Sequence, residues 1–140
     1  IPDSFKTDLL KGTFNFDSSG GSTFKLALYT DISGLTTSTA AFTATNEVST
    51  SGTSYSSGGN TLTNNGVAVA SNIAFVDFAD LTFSSVTLSA VGALIYKSGG
   101  TNPAVLVLDF GGTKTATNGD FVVQFPTASN SAAIIRLGNA

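Results

Sequence analysis

The sequence predicts an all-β fold, an antiparallel β-sandwich with jelly-roll-like topology among the options, preceded by one short N-terminal helix. Apolar residues recur with period two from residue 13 onward, and clusters of Gly, Asn and Ser interrupt them about every 8 to 15 residues. Helical spacing is confined to the first dozen positions. The 11 phenylalanines lie in a background of Ser, Thr and Gly, which supplies a core without supplying polar chemistry.

In order along the chain, residues 3–11 carry Phe5 and Leu9 four apart on one helical face, with Asp3 or Ser4 available to cap the first amides and Gly12 to stop the helix. Such a helix, about two turns long, is marginal alone and needs its Phe5, Leu9 and Leu10 face docked on something, either its own sheet or a neighbouring subunit. Phe14 and Phe16 then alternate with polar residues, the Asp17-Ser-Ser-Gly-Gly21 cluster turns the chain, and Phe24, Leu26 and Leu28 share a face, which reads as a hairpin. From 30 to 59 the pattern dissolves into Ser and Thr with Leu35, Phe42, Val48 and Tyr55 as isolated anchors. A segment of that length is expected to be a surface or interaction loop, or one ordered by a partner. Tyr55 is its candidate for surface contact.

Strands return after Gly59. Residues 60–70 form one candidate, ending at the turn-prone Ala70-Ser-Asn72, and 73–78 follow with Phe75 and Phe78 as core. A short strand at 82–84 and a long one at 86–97 come next. The run 103–110 is almost continuously apolar, which predicts a central strand covered on both faces. Gly111-Gly112 is expected to end it, Asn118-Gly119 to turn, 120–125 to resume, and 132–137 to close the domain. No internal repeat or linker divides the chain, so 1–140 reads as one β-rich domain with 1–12 as a helical arm.

Only 11% of residues are charged, and the net charge is -3. Six scattered cations make no basic stripe, so no nucleic-acid partner is expected. No apolar run reaches the roughly 20 residues of a bilayer span, so no membrane partner is expected either. Ile1 opens the chain in place of methionine, so residues ahead of it are expected to have been cleaved or left out, which leaves room for a leader among them. A surface with so few charges has little self-repulsion and suits lasting contact with neighbours.

Chemistry-bearing residues are scarce. Histidine and cysteine are absent, which removes the usual neutral base, the thiolate nucleophile and the soft ligands of zinc. Serine is plentiful, but no lysine has a serine three positions before it except Lys25, which Ser22 precedes without continuing into the Ser-x-x-Lys context of a helix. Asp77 and Asp80, with Asp109, are the only candidates for a carboxylate pair or hard-cation site, and turn capping accounts for them more simply. Asp17-Ser18-Ser19-Gly20-Gly21 lacks the repeated acids of a calcium loop, and Gly111-Gly112-Thr113-Lys114 lacks the glycine spacing and following helix of a phosphate cradle. No catalytic, cofactor-binding or metal-binding residue is therefore expected, and the chain reads as a non-enzyme.

Ser4-Phe5-Lys6, Leu9-Leu10-Lys11-Gly12, Asn15-Phe16, Phe24-Lys25-Leu26-Ala27-Leu28-Tyr29-Thr30 and Asn46-Glu47-Val48 resemble a family of small virion-associated proteins of tailed bacteriophages. So do Ala74-Phe75-Val76-Asp77-Phe78-Ala79-Asp80, Gly92-Ala93-Leu94-Ile95-Tyr96, Ala104-Val105-Leu106-Val107-Leu108-Asp109-Phe110-Gly111 and Gln124-Phe125-Pro126. The resemblance spans nearly the whole chain. Its motifs are core strands and turns and name no catalytic residue. Where the family places a histidine before the Asn-Phe pair, this chain has Phe14, which argues against an essential histidine.

The resemblance implies a capsid decoration, or cement, protein on the virion surface. Its partners would be the major capsid protein and copies of itself, as a homotrimer at three-fold or quasi-three-fold positions, with no cofactor. Phe5, Leu9, Leu10 and Tyr55 are the candidate subunit-contact residues. A second class of function, a tail- or fibre-associated adhesin module binding a host glycan, is compatible with the same Ser/Thr/Asn-rich loop and strand pattern.

Overall fold

Residues 1–139 are described by the structure, a computed structural model. One helix, α1 (Asp3–Leu10), precedes seven strands: β1 (Phe24–Tyr29), β2 (Asn60–Thr61), β3 (Asn64–Ala70), β4 (Ile73–Phe78), β5 (Leu81–Lys97), β6 (Ala104–Val123) and β7 (Ile135–Leu137). They form two antiparallel sheets, one ordered β2-β1-β5-β6 and the other β3-β4-β7. The all-β class and the short N-terminal helix are as the sequence predicts.

Both sheets contribute to one phenylalanine-rich core. Phe24 of β1 meets Phe78 of β4 with ring centroids 5.6 Å apart, and lies parallel to Phe16 at 4.7 Å. Val76, Phe83, Val86, Ile95, Phe121 and Ile135 fill the same space. The reverse side of the four-stranded sheet is buried too. Ala27, Tyr29, Leu94, Tyr96 and Ala104 form a second cluster there, covered by Ile32, Leu35 and Phe42. The unpatterned 30–59 segment thus serves as a covering layer over the chain's own sheet. Its backbone bridges to β1 through Glu47 opposite Tyr29 and meets Pro103 at Ala41.

Several boundaries depart from the sequence reading. Neither Asp3 nor Ser4 caps α1: the N-cap is Pro2, whose fixed φ suits a helix start, and Asp3 instead pairs with Lys6 at 3.0 Å. The turn expected at 17–21 forms, but residues 13–16 before it make no ladder. Ser22 N–H donates to the Asn15 carbonyl, and the Asn15 N–H to Ser22 Oγ. The 60–70 strand is split into β2 and β3, which belong to different sheets. The β3–β4 connection at Ser71 and Asn72 has φ of 50° and 64°, the twin left-handed residues of a tight hairpin.

The strands expected at 82–84 and 86–97 are one continuous β5, and those at 103–110 and 120–125 are one continuous β6. The Gly111-Gly112 pair and Asn118-Gly119 lie inside β6 instead of ending it. Between the pairs Gly92 with Asp109 and Ala90 with Lys114, β6 inserts residues 110–113 against the single Val91, so Gly111 and Gly112 mark a bulge. The run 103–110 lies at the sheet edge, not its centre. It is apolar because it packs on the core with Val105 and Leu106, while Ala40 caps Ala104 and Leu35 stands beside Val107.

Candidate functional site

The four residues expected at subunit contacts fall in unlike places. Phe5 is 2% exposed and packs against Phe14 with ring centroids 5.0 Å apart, so α1 docks on its own chain. Asp3 N–H reinforces that docking by donating to the Thr37 carbonyl. Leu9 is half-buried against the same core, whereas Leu10 is 87% exposed. Tyr55 is turned inward and only 3% exposed, which corrects its expected place on the surface.

The reason for that inward turn is Glu47, the sole glutamate, which sequence reading passed over. Its Oε2 accepts the Tyr55 hydroxyl and the Gly58 N–H, both at 2.7 Å. The Tyr55 oxygen also accepts the Leu28 N–H, and Tyr96 donates to the Gly58 carbonyl at 2.6 Å. Tyr29 donates to the Thr43 carbonyl at 2.6 Å. Burial pushes the phenols of Tyr29, Tyr55 and Tyr96 above their ordinary range, and the Glu47 charge adds to it. This cluster fastens the covering layer to the sheet. All its polar atoms are matched within the chain, so it offers no free group to a substrate.

Of the three aspartates only Asp109 caps a local turn, accepting from the Gly111 N–H at 2.8 Å. Asp77 in β4 accepts from Asn65 Nδ2 of the neighbouring strand at 2.7 Å, and Asp80 accepts from the distant Phe125 N–H at 2.8 Å. Among the described residues, no group of three or more His, Cys, Asp or Glu side chains gathers where a metal ion could sit. Nor is any helix there long and apolar enough to cross a membrane.

Two surface features remain. An open groove of about 530 Å³ runs along β6 where the bulge curls it, with Phe110 and Phe121 in its wall and Lys114 and Asp120 at its margin. The other feature is the far end of the β3-β4-β7 sheet. Pairing of Val67 with Val76, Val69 with Ala74 and Ala74 with Leu137 puts these side chains on the face that holds Val76 and Ile135 in the core. Beyond the core this face continues into the open, with Val67 53%, Val69 70% and Leu137 61% exposed. No charged residue occurs from Asn64 to Val76.

Comparison with family models, curated proteins and solved structures finds no match.

Proposed function

We propose that this chain is a structural protein of a phage virion, a decoration or cement protein that stabilises the head by binding the major capsid protein and copies of itself as a homotrimer. The observation that carries the reading is the apolar face at the end of the β3-β4-β7 sheet, where Val67, Val69 and Leu137 stand outside the core and the one charge nearby, Arg136, lies on the opposite face. Apolar surface of that kind on a small domain marks a contact with another macromolecule. The sequence resemblance supports a virion as the setting. A covering layer locked by Glu47 and three tyrosines supports a rigid scaffold role, since it leaves the strands well covered without a partner. The reading is tested by adding the purified protein to undecorated heads and imaging them. Hundreds of copies in a regular array are expected, and empty heads at saturating protein overturn it.

A second reading, an adhesin module of a tail or fibre that binds a host glycan, draws on the β6 groove, where aromatic rings lie beside Lys114, Thr115, Asp120 and Gln124. Tyr55, buried under Glu47, no longer contributes to it. Binding to a panel of bacterial surface glycans that is lost in Phe110→Ala, with only tens of copies on each particle, would favour this reading over the first.

A further inference from the structure

Strand β3 is an edge of its sheet: β4 pairs with one side of it, and no strand among the described residues pairs with the other. Among the described residues no backbone hydrogen bond reaches Val67, Ala68, Val69 or Ala70 from that outer side. All four are exposed, and in the alternation set by the two-residue turn the amide and carbonyl groups of Val67 and Val69 point away from β4, open to a partner strand, while those of Ala68 and Ala70 face β4. Edge strands of soluble domains are ordinarily protected by a lysine, a proline, an inward-pointing charge or a covering loop. Over Asn64–Ala70 the sequence Asn-Asn-Gly-Val-Ala-Val-Ala contains no charge and no proline. The one irregularity, the bulge between Asn64 and Gly66, lies at the end nearest Ser18 and leaves the four following residues regular.

We infer that this edge is a contact between copies of the chain, separate from the three-fold contact within a trimer and joining one trimer to the next, in which β3 pairs antiparallel with β3 of a second copy with Ala68 opposite Ala68 across a two-fold axis. The inference deepens the reading of the chain as a self-assembling virion component and rests on it. The occupant follows from the strand's own pattern. With the axis at Ala68, Val67 faces Val69 of the second copy and Gly66 faces Ala70, so every pairing stays within the strand. Moving the axis to Val69 would place Val67 opposite Ser71, which already has the left-handed φ of the hairpin turn. In the Ala68 register both valines of each copy lie on one face, continuous with Ala74 and Leu137, and the two three-stranded sheets become one of six. An uncharged strand meets an uncharged strand, and no buried charge is left without a partner.

The size of the patch predicts how such a contact behaves. Val67, Val69 and Leu137 expose apolar surface on the order of 300 Å², comparable to the largest patch of a typical monomer. A stable pairwise interface covers about 800 Å² per partner. The contact is therefore weak and concentration-dependent between free molecules, and it becomes persistent where many copies are held side by side.

The absence of cysteine makes single introduced cysteines clean reporters. Ala68→Cys places two thiols directly opposite each other, and mild oxidation of concentrated protein is expected to give covalent dimers. Ala70→Cys, also exposed but facing Gly66 of the second copy, is expected to stay monomeric. Adding Val69→Lys to the Ala68→Cys chain puts the protective charge on the edge and should reduce dimer yield at least tenfold with the melting temperature unchanged. Equal cross-linking at 68 and 70, cross-linking at 70 alone, or none at either position overturns the inference. Head binding is read separately. Heads decorated by Ala68→Cys protein without cross-links would sink the strand contact and leave the virion reading intact, whereas cross-linked protein that never occupies heads would do the reverse.

Discussion

Tyr55 donates its hydroxyl hydrogen to Glu47 Oε2 at 2.7 Å while its oxygen accepts the Leu28 N–H at 3.0 Å, so a single phenol ties the covering layer to a central strand. The Leu28 carbonyl accepts the Val48 N–H on the same side, which shows that the polar groups of Leu28 face this layer and not β5. Tyr55→Phe keeps the ring in place and strands the Leu28 amide in the core. A loss of about 1–3 kcal/mol is expected in urea unfolding, the cost of a buried donor without a partner. Glu47→Gln keeps the shape but weakens the charge-assisted bonds and should lose about 1 kcal/mol. Stability within a few tenths of wild type in Tyr55→Phe would contradict the role assigned to that hydroxyl.

Alkaline pH attacks the same cluster. Burial first, and the neighbouring Glu47 charge after it, raise the phenols of Tyr29, Tyr55 and Tyr96 above the ordinary value of 10.0. The unfolded chain therefore releases these protons at lower pH than the folded one. Their stabilising contribution is complete below pH 10 and is lost as pH rises toward the folded-state values. Unfolding and tyrosinate absorbance are expected to rise together above pH 10, in one steep step. Gradual ionisation of all three phenols with the fold intact would show that the cluster is open to solvent.

Gly59 occupies a position that only glycine fits. Its φ is +78°, and a Cβ there would sit 1.8 Å from the Leu26 carbonyl oxygen and 2.8 Å from the Ala27 Cα. Both obstacles are backbone of β1, which cannot step aside without breaking its pairing with β5. Gly59→Ala combines left-handed strain with a clash and should cost about 3 kcal/mol. Gly34→Ala, in open space without a positive φ, is the matched control and should leave the melting point unchanged.

How much of this could be read beforehand depends on the range over which each signal acts. Alternation around Phe24 and Phe78 is local, and strands β1 and β4 lie where it points. Phe75, expected in the core, is only partly buried on the face of β4 opposite Val76 and Phe78, because residues an odd number apart in a strand point to opposite faces. The turn at Ser71 and Asn72 is equally local. The edge position of residues 103–110 is not, because a continuous apolar run looks the same whether a second strand or the Ala40 segment covers its outer side. Gly111-Gly112 reads as a stop, yet a β-bulge uses the same residues. The inward turn of Tyr55 depends on Glu47, eight residues away, and on Leu28, which lies 27 away. Neither partner carries a periodic signal. The exposed valines of β3 read like any buried strand, since sequence marks a residue as apolar without saying whether a core or a second molecule covers it.

Helix α1 separates folding from contact within its 8 residues. Phe5 reaches the Phe14 and Phe16 rings at 5.0 and 6.2 Å, while Leu10 projects away from the core. Deleting 1–12 would remove both roles together and could not tell them apart. Phe5→Ala opens a cavity beside the Phe14 and Phe16 rings and should cost about 3–5 kcal/mol. Leu10→Ser removes surface that nothing in the chain covers, so its effect on stability should stay within about 0.5 kcal/mol. If Leu10 is a contact to a neighbouring subunit, Leu10→Ser lowers occupancy on undecorated heads at unchanged melting temperature. Full occupancy by Leu10→Ser protein would confine the helix to its folding role and leave the sheet edges as the surfaces available for assembly.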